Sequence, residues 1–173
     1  MDAIHELQPV LPLPGFDGIE QRAWQQFLSC SLNVLAGLNE SLMDAHNISI
    51  RDVLLLELLN RPDRRNHRLC ALARALWISQ GQLNTQIRRL EGLGWITRSP
   101  NRRDARGMLP RITSEGHMHL NAVLETYARE VRVQYLDYLQ HEHMVSLVDG
   151  CRRINASLNV SRLKGPPQRR ARG

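Results

Sequence analysis

The sequence predicts a mainly α-helical protein that carries one short β-hairpin. Apolar residues recur at three- and four-residue steps through most of the chain, the spacing of helices that pack one face against a core. Ser79 with Gln82 begins one helix directly after a short one, which is the arrangement of a helix-turn-helix. Two β-prone segments, 95–97 and 108–113, follow and enclose an arginine-rich stretch.

Length and composition suit one domain with extensions. The chain has 173 residues, of which 42% are apolar, enough to bury a core. Its first 15 residues carry two acids and three prolines, unlike a secretory signal, and no apolar run reaches bilayer-spanning length. We therefore expect a cytoplasmic protein without a membrane partner. Three cysteines without a CxxC pair predict neither a disulfide framework nor a zinc cluster.

The net charge of +6 is distributed unevenly along the chain. Residues 61–111 hold twelve basic and three acidic residues, whereas residues 1–60 hold two basic and eight acidic ones. Residues 112–161 are mildly acidic, and residues 162–173 add five basic residues and no acid. A basic block inside a domain is typical of a polyanion partner. A solvated charged face is the alternative.

The first helix is predicted to follow an extended arm. Residues 1–20 are interpreted as that arm because prolines and glycines interrupt them. The helical pattern begins at Trp24, and the helix, assigned to residues 21–48, should end near His46. Its inward face is predicted to consist of Trp24, Phe27, Leu28, Ser31, Leu35, Leu38 and Leu42.

The next two helices are short. Ser49, with Asp52 three residues later, resembles a capping box, and the apolar run after it predicts a buried helix that stops at residues 60–63. A third helix over residues 67–76 would carry its apolar side chains on one face. That face comprises Leu69, Leu72, Ala73 and Leu76.

The fourth helix begins after Ser79 and ends at Gly92 and Gly94. Its inward stripe is predicted to be Leu83, Ile87 and Leu90. In the hairpin that follows, Pro110 restricts the second strand to a sheet edge, because proline donates no ladder hydrogen bond.

Two further helices complete the chain, followed by a basic tail (161–173) that we expect to be disordered. Thr113 caps the fifth helix, with Glu115 favourably placed in its first turn. Its apolar stripe is Leu120, Val123, Leu124, Tyr127, Val131 and Tyr135. The last helix carries Leu147, Cys151, Ile154 and Leu158 on one face.

The outward face of the fourth helix presents groups that can read DNA. Amide side chains can pair bidentately with adenine and arginine can contact guanine or phosphate, while Gly81 lets the backbone approach closely. In a helix-turn-helix, the N-terminal residues of the second helix read bases. The candidate DNA-binding residues on this face are Ser79, Gln80, Gly81, Gln82, Asn84, Thr85, Arg88 and Arg89. The alternative is an ordinary exposed polar face.

The hairpin adds a second set of candidates. Residues 98–113, RSPNRRDARGMLPRIT, hold five arginines and one acid. A basic hairpin beside a recognition helix would lie over the sugar-phosphate backbone, and its tip could enter the minor groove, where arginine is attracted. Arg102, Arg103 and Arg106 are the candidates, with Asp104 orienting a neighbouring arginine. A solvated basic loop is the alternative.

Three stretches carry a resemblance to the multiple antibiotic resistance regulator (MarR) family of winged-helix transcription factors. They are LCALARALWISQGQLNTQIRRLEGLGWITR at 69–98, the D-x-R at Asp104-Ala105-Arg106, and ITSEG at 112–116. With the order of the helices, the resemblance covers about residues 24–158. Their order and spacing together are specific, although no single motif is.

The resemblance implies a mainly α fold, a winged helix-turn-helix with a two-stranded β wing and a helical dimerisation region. Residues 49–113 would be the DNA-binding domain, and 21–48 with 114–160 the dimerisation helices of a homodimer. It implies that Arg106 enters a minor groove and that Asp104 orients the wing. Ala105 departs from the family, since many members have arginine there, and Trp77 stands where many have glycine.

Members of the family often respond to small aromatic ligands, which makes such an effector a candidate partner. Here the region concerned would be Trp24, Phe27 and the helix holding residues 53–59, although core packing is the interpretation we favour for them. Cys30 and Cys70 lie on polar faces and offer redox sensing, whereas Cys151 is interpreted as a core residue.

We expect neither a metal site nor a cofactor. His117 and His119 point to different helix faces, and His141 and His143 lack a complete ligand set. The sequence also has no phosphate-binding glycine loop, HExxH motif or nucleophile elbow, so we expect no enzyme.

The function predicted is a sequence-specific transcriptional regulator, a repressor that binds an inverted-repeat operator in double-stranded DNA as a homodimer and is released by a small ligand. The alternative is a nucleoid-type architectural protein with little sequence preference, which the basic tail would suit. An enzyme or metal-binding protein is the third hypothesis, and a measured activity or a bound metal would be its signature.

Overall fold

The computed structural model describes residues 12–62, 68–101 and 104–163. Over these ranges the predicted class is confirmed, mainly α with a two-stranded antiparallel sheet. The elements in order are α1 (Gly18–His46), α2 (Ile50–Asn60), α3 (Leu69–Ala75), α4 (Gln80–Gly92), β1 (Ile96–Asn101), β2 (Asp104–Ile112), α5 (Ser114–Gln134), a 3-10 turn (Leu136–Tyr138) and α6 (His141–Leu163).

The chain divides into two compact units, residues 1–134 and 135–173. In the first unit α1 packs on α5 and α2, α2 also packs on α5 and β2, and α3 packs on α4, which leads into β1. The second unit contains the 3-10 turn and α6. No helix in the described ranges is long and apolar enough to cross a membrane.

Side-chain caps begin four of the helices, and the predicted cap of α5 is confirmed, since the Thr113 hydroxyl accepts the Gly116 N–H at 3.0 Å. The predicted capping boxes are confirmed at Ser49 with Asp52 and at Ser79 with Gln82. Helix α1 begins at Gly18, earlier than predicted, because the Asp17 carboxylate accepts hydrogen bonds from the next backbone N–H groups and Glu20 accepts the Asp17 N–H at 2.9 Å. The extended-arm prediction therefore fails over its last residues, since it relied on apolar spacing.

The core lies in the first unit, between α2, α4 and α5. The predicted inward stripe of α4 is confirmed, with its three apolar side chains fully buried. They pack with residues of the neighbouring helices and of β1 in a single cluster: Leu42, Ile48, Val53, Leu55, Leu56, Leu59, Leu72, Ala73, Leu76, Leu83, Ile87, Leu90, Ile96, Leu120 and Val123. Leu124 and Tyr127 from the predicted α5 stripe pack against this cluster.

Two predicted inward faces are wrong for much of their length. On α1 only Leu38 and Leu42 are buried, whereas Trp24, Phe27 and the leucines around them are exposed. On α6 the side chains of Leu147, Ile154 and Leu158 are exposed, and Cys151 is half-buried rather than in the core. Their periodicity correctly predicted helices, but it did not predict how far these faces are buried.

The hairpin is longer than predicted. Its ladder runs from the Ile96–Ile112 pair to the Asn101–Asp104 pair, with an irregularity beside Pro100. Much of the arginine-rich stretch is therefore strand. Pro110 pairs with Arg98 and is fully buried; a two-stranded sheet has only edge strands, which tolerate a missing N–H donor.

Candidate nucleic-acid interface

The outward face of α4 presents the predicted candidates to solvent. Seven of the eight are exposed, and Asn84 is half-buried. The exposed ones are Ser79, Gln80, Gly81, Gln82, Thr85, Arg88 and Arg89. The three buried apolar side chains hold the opposite face of the helix, so this row is what a groove of DNA would meet.

The helix cap changes what Gln82 can offer. Its amide oxygen accepts from the Ser79 N–H at 2.9 Å and from the Ser79 hydroxyl at 3.1 Å. Both lone pairs are occupied, so Gln82 can donate its NH2 group but cannot pair bidentately with adenine while the cap is closed. Thr85 donates its hydroxyl to the Gly81 carbonyl at 3.2 Å and remains an acceptor.

The two arginines of α4 have different surroundings. Arg88 is exposed, and its side chain has no ion-pair partner in the described part of the chain. Arg89 forms an ion pair with Asp52 of α2, and the Asp52 side chain is only 4% exposed. Arg89 also donates a hydrogen bond to the Asn47 carbonyl at 3.5 Å. Arg88 is therefore the freer of the two cations.

The hairpin arginines also divide into two groups. Arg98 pairs with Glu91 of α4 at 2.8 Å, and Arg111 donates to the Ser99 hydroxyl across the ladder, so both brace the base of the hairpin. Arg102 and Arg103 lie outside the described residues. Asp104 and Arg106 belong to β2, and the structure describes their backbone but not their side chains.

The base of the hairpin is attached to α5 and α1 by aromatic contacts. The Trp95 ring stacks on His119 with centroids 3.8 Å apart, and His119 meets His46 edge-on at 5.9 Å. His46 Nε2 lies 2.8 Å from the Thr126 hydroxyl oxygen. Burial, and then the charge of His46, lower the pKa of His119, while Glu115 opposes them.

A cavity of about 1020 Å³ lies between the C-terminal end of α1, the start of α2 and α4. Its walls include Met43, Arg51, Gln86 and Leu93. Gln86 Nε2 is buried and has no hydrogen-bond partner among the described residues. The residues suggested from the sequence for an effector do not line it, since Trp24 and Phe27 are exposed elsewhere on α1 and residues 53–59 mostly form core.

Trp77, where the family often has glycine, has a left-handed backbone with φ of 60°. Glycine adopts this conformation without steric cost, which explains the preference. The connection between α3 and α4 thus keeps the glycine-type turn despite the tryptophan, whose side chain is exposed.

Sequence reasoning missed two polar residues, Asp52 and Gln86. Asp52 had been recognised only as a helix cap, and its ion pair joins residues 37 positions apart. Cys30 and Cys70 are exposed as predicted. No group of three metal-binding side chains occurs among the described residues.

The fold agrees with that of solved structures. A MarR transcriptional regulator of Streptomyces coelicolor solved in complex with DNA has 26% sequence identity and a TM-score of 0.76, covering 83% of this chain and 93% of that one. AbsC from the same organism, also a MarR family transcriptional regulator, has 23% identity and a TM-score of 0.75, covering 85% and 99%.

A more distant structure is BpsR of Bordetella bronchiseptica, whose DNA binding is regulated by 6-hydroxynicotinic acid. It has 17% identity and a TM-score of 0.66, covering 81% of this chain and 96% of that one. The comparison with curated proteins found no match. The MarR family model matches residues 48–108, from the residue before the α2 cap to β2. This segment holds the helix-turn-helix and most of the wing, so the match to the MarR family is to the part of the chain that carries both elements.

Proposed function

We propose that this protein is a sequence-specific DNA-binding transcriptional regulator. The observation that carries the proposal is the row of exposed polar and basic side chains on α4, held outward by a fully buried apolar stripe. Amide groups stand at the N-terminal end of the row and the freer arginine, Arg88, further along it, which suits reading bases first and phosphate next. The basic hairpin would extend this contact to the flanking minor groove.

We further propose that it acts as a homodimeric repressor on an inverted-repeat operator. The apolar side chains left exposed on the N-terminal half of α1 and on α6 support a second copy as their partner. Two recognition helices related by a two-fold axis enter successive major grooves, about one helical turn apart. A dimer seated across a promoter blocks polymerase.

The first experiment is fluorescence anisotropy with DNA from upstream of the protein's own gene and with a scrambled duplex, at two salt concentrations. We expect a preference for the upstream duplex that persists at the higher salt. Equal binding of both duplexes, falling steeply with salt, would favour the architectural alternative or an operator elsewhere. A genome-wide binding selection separates these two outcomes, because only a regulator enriches a defined sequence.

The wing is tested by Arg106→Ala, with Arg132→Ala on α5 as the matched control. A groove contact predicts a loss of about 1–3 kcal/mol in operator binding for the wing variant. The control should bind as the wild type does. Unchanged affinity of Arg106→Ala would remove the wing from the DNA interface.

An effector is proposed for the cavity between α1, α2 and α4, because it borders the recognition helix and combines apolar walls with arginine and an unpartnered amide. A ligand there would act by binding the two states of the protein with different affinity. Met43→Trp should reduce the volume of the cavity. The control is Met118→Trp, at an exposed side chain of α5 outside the cavity. Aromatic acids such as 6-hydroxynicotinic acid, tested by thermal shift, should stabilise the control and not Met43→Trp.

A further inference from the structure

Asp52 is a buried carboxylate that binds the recognition helix. Its side chain is only 4% exposed, and Oδ2 accepts the Ser49 backbone N–H at 2.9 Å and the Ser49 hydroxyl. The third partner is the Arg89 guanidinium of α4. A buried carboxylate is costly unless it is paired, so the position of Arg89 is set by a group that cannot move outward to solvent.

The same guanidinium connects α4 to the end of α1. Its Nη1 donates to the carbonyl of Asn47, the left-handed residue that closes α1. The Ile50 N–H, at the start of α2, donates to the Asn39 side chain of α1 at 3.2 Å. Arg89 therefore contacts a corner between α1 and α2 that is itself held by hydrogen bonds.

The buried apolar stripe fixes which face of α4 points outward, but it does not by itself set small rotations of the helix. Its buried stripe rests on other apolar side chains, and hydrophobic contact has no preferred direction. A charge-assisted hydrogen bond does have one. Arg89 and the base-reading side chains belong to one continuous helix, Gln80–Gly92, so a small rotation at Arg89 changes the direction of all of them.

We propose that Asp52 is a positioning residue for DNA recognition. It holds Arg89 at the corner between α1 and α2 and thereby sets the orientation of α4. Arg89, although partly exposed, acts through this intramolecular contact rather than as a phosphate contact. This inference rests on the proposed function and assigns Arg89 a different role from Arg88. It also links the recognition helix to α1, so a change at the end of α1 is transmitted to the DNA-reading face.

The test compares operator preference and salt slope for Asp52→Asn, Arg89→Met and the double variant. We expect each single variant to reduce the preference for operator over scrambled DNA by about tenfold, roughly 1.4 kcal/mol. The double variant should lose no more than either single one, because both changes break one interaction. The salt slope of Arg89→Met should equal that of the wild type, since no phosphate contact is removed.

Arg89→Lys is the variant that does not leave a buried carboxylate without a cation. A phosphate contact would survive this change, whereas the forked contact to Asp52 and Asn47 would not. We expect reduced preference at an unchanged salt slope. The matched control is the exposed α2 pair of Arg61 and Glu57, 3.6 Å apart, for which Glu57→Gln and Arg61→Met should leave preference unchanged.

Thermal melts establish that each variant is folded at the assay temperature. The proposal is overturned if Arg89 proves to be a phosphate contact. In that case Arg89→Met lowers the affinity for both duplexes equally and reduces the salt slope by about one. Asp52→Asn then binds DNA as tightly as the wild type, or more tightly. Full preference in Arg89→Lys also overturns it. Absence of any duplex preference in the wild type instead overturns the proposed function, and is seen before any variant is compared.

Discussion

The segment from α2 to α5 and the two terminal helices differ in how far their apolar side chains are buried. From Ile48 to Val123 the leucines, isoleucines and valines of the inward faces are almost completely buried. On the N-terminal half of α1 and on α6, side chains with the same helical spacing remain exposed, such as Leu32 at 60% and Val148 at 67%. Apolar spacing therefore predicts a helix with an apolar face, but not whether that face is buried in the folded chain.

The difference has a physical origin. A winged helix-turn-helix folds back on itself, so that α2, α4 and α5 supply each other's apolar partners through short connections. A helix of 29 residues is about 44 Å long, and the buried side chains of α1, Leu38 and Leu42, lie toward its C-terminal end. Its N-terminal half extends past these contacts, and exposed apolar faces of this kind are candidate interaction surfaces.

The largest change in stability should come from removing a buried side chain from the core. Leu56→Ala leaves a cavity in the fully buried cluster and should lower the free energy of unfolding by about 2–5 kcal/mol. Leu32→Ala, on the exposed half of α1, should cost less than about 0.5 kcal/mol at protein concentrations low enough to keep the chain monomeric. Urea denaturation measures both free energies of unfolding. Equal losses of stability in the two variants would contradict the proposed difference in burial between the two regions.

The next effect concerns association. Leu32→Asp places a charge on the exposed face of α1 and should weaken self-association by about 1.5–3 kcal/mol for each copy of the side chain that is covered in the dimer. Sedimentation at several concentrations gives the dissociation constant. Asp substituted for the exposed Met118 on α5 is the control, and a wild type that sediments as a monomer would contradict the second-copy interpretation.

A smaller effect is expected where the hairpin base meets α5. A Cβ at Gly116 would lie 2.3 Å from the Trp95 carbonyl oxygen, so Gly116→Ala should destabilise the first unit by about 1–3 kcal/mol. At Gly150 of α6, no described residue lies within 4 Å of such an atom. Gly150→Ala should raise helix stability by up to about 1 kcal/mol, and thermal denaturation distinguishes the two signs.

The smallest effect is a pH dependence at the same contact. Because burial lowers the pKa of His119, the unfolded chain binds that proton first as the pH falls below about 6.5. Its contribution to stability is therefore present above that pH and is lost as the pH falls toward the lower folded-state pKa. His119→Gln should flatten the stability profile between pH 7.5 and 5.5, whereas replacement of the exposed His143 should not; an unchanged slope in His119→Gln would contradict this.

The sequence predicts those features of the helices that depend on residues close together in the chain. The caps at Ser49 and Ser79, the buried stripe of α4 and the glycine end of that helix were all predicted, because each depends on residues within one or two turns. The start of α1 was missed for a different reason. Asp17 and Glu20 form the same kind of capping box, but they precede the apolar pattern that was used to locate the helix.

The candidate interface was predicted as a set of residues, and the structure separates them by their hydrogen bonds. Gln82 loses its acceptor to the cap, Arg89 is held by Asp52, and Arg98 and Arg111 brace the hairpin. These distinctions depend on contacts between residues far apart in the chain. Side-chain type and helical position could identify which groups face outward, but not which of them already have a partner.

By itself, the sequence determined the order of helices, the hairpin, the outward face of α4 and the resemblance to the MarR family. The helices, the hairpin and the outward face follow from periodicity, capping and composition, which act over a few residues, whereas the resemblance rests on the three quoted stretches and their order. Only the tertiary structure decided that the outer half of α1 is uncovered, that the cavity lies against α4 and that Asp52 holds Arg89. Each of those depends on packing between separate elements. The type of a charged or apolar side chain does not predict which residue far away in the chain it will contact.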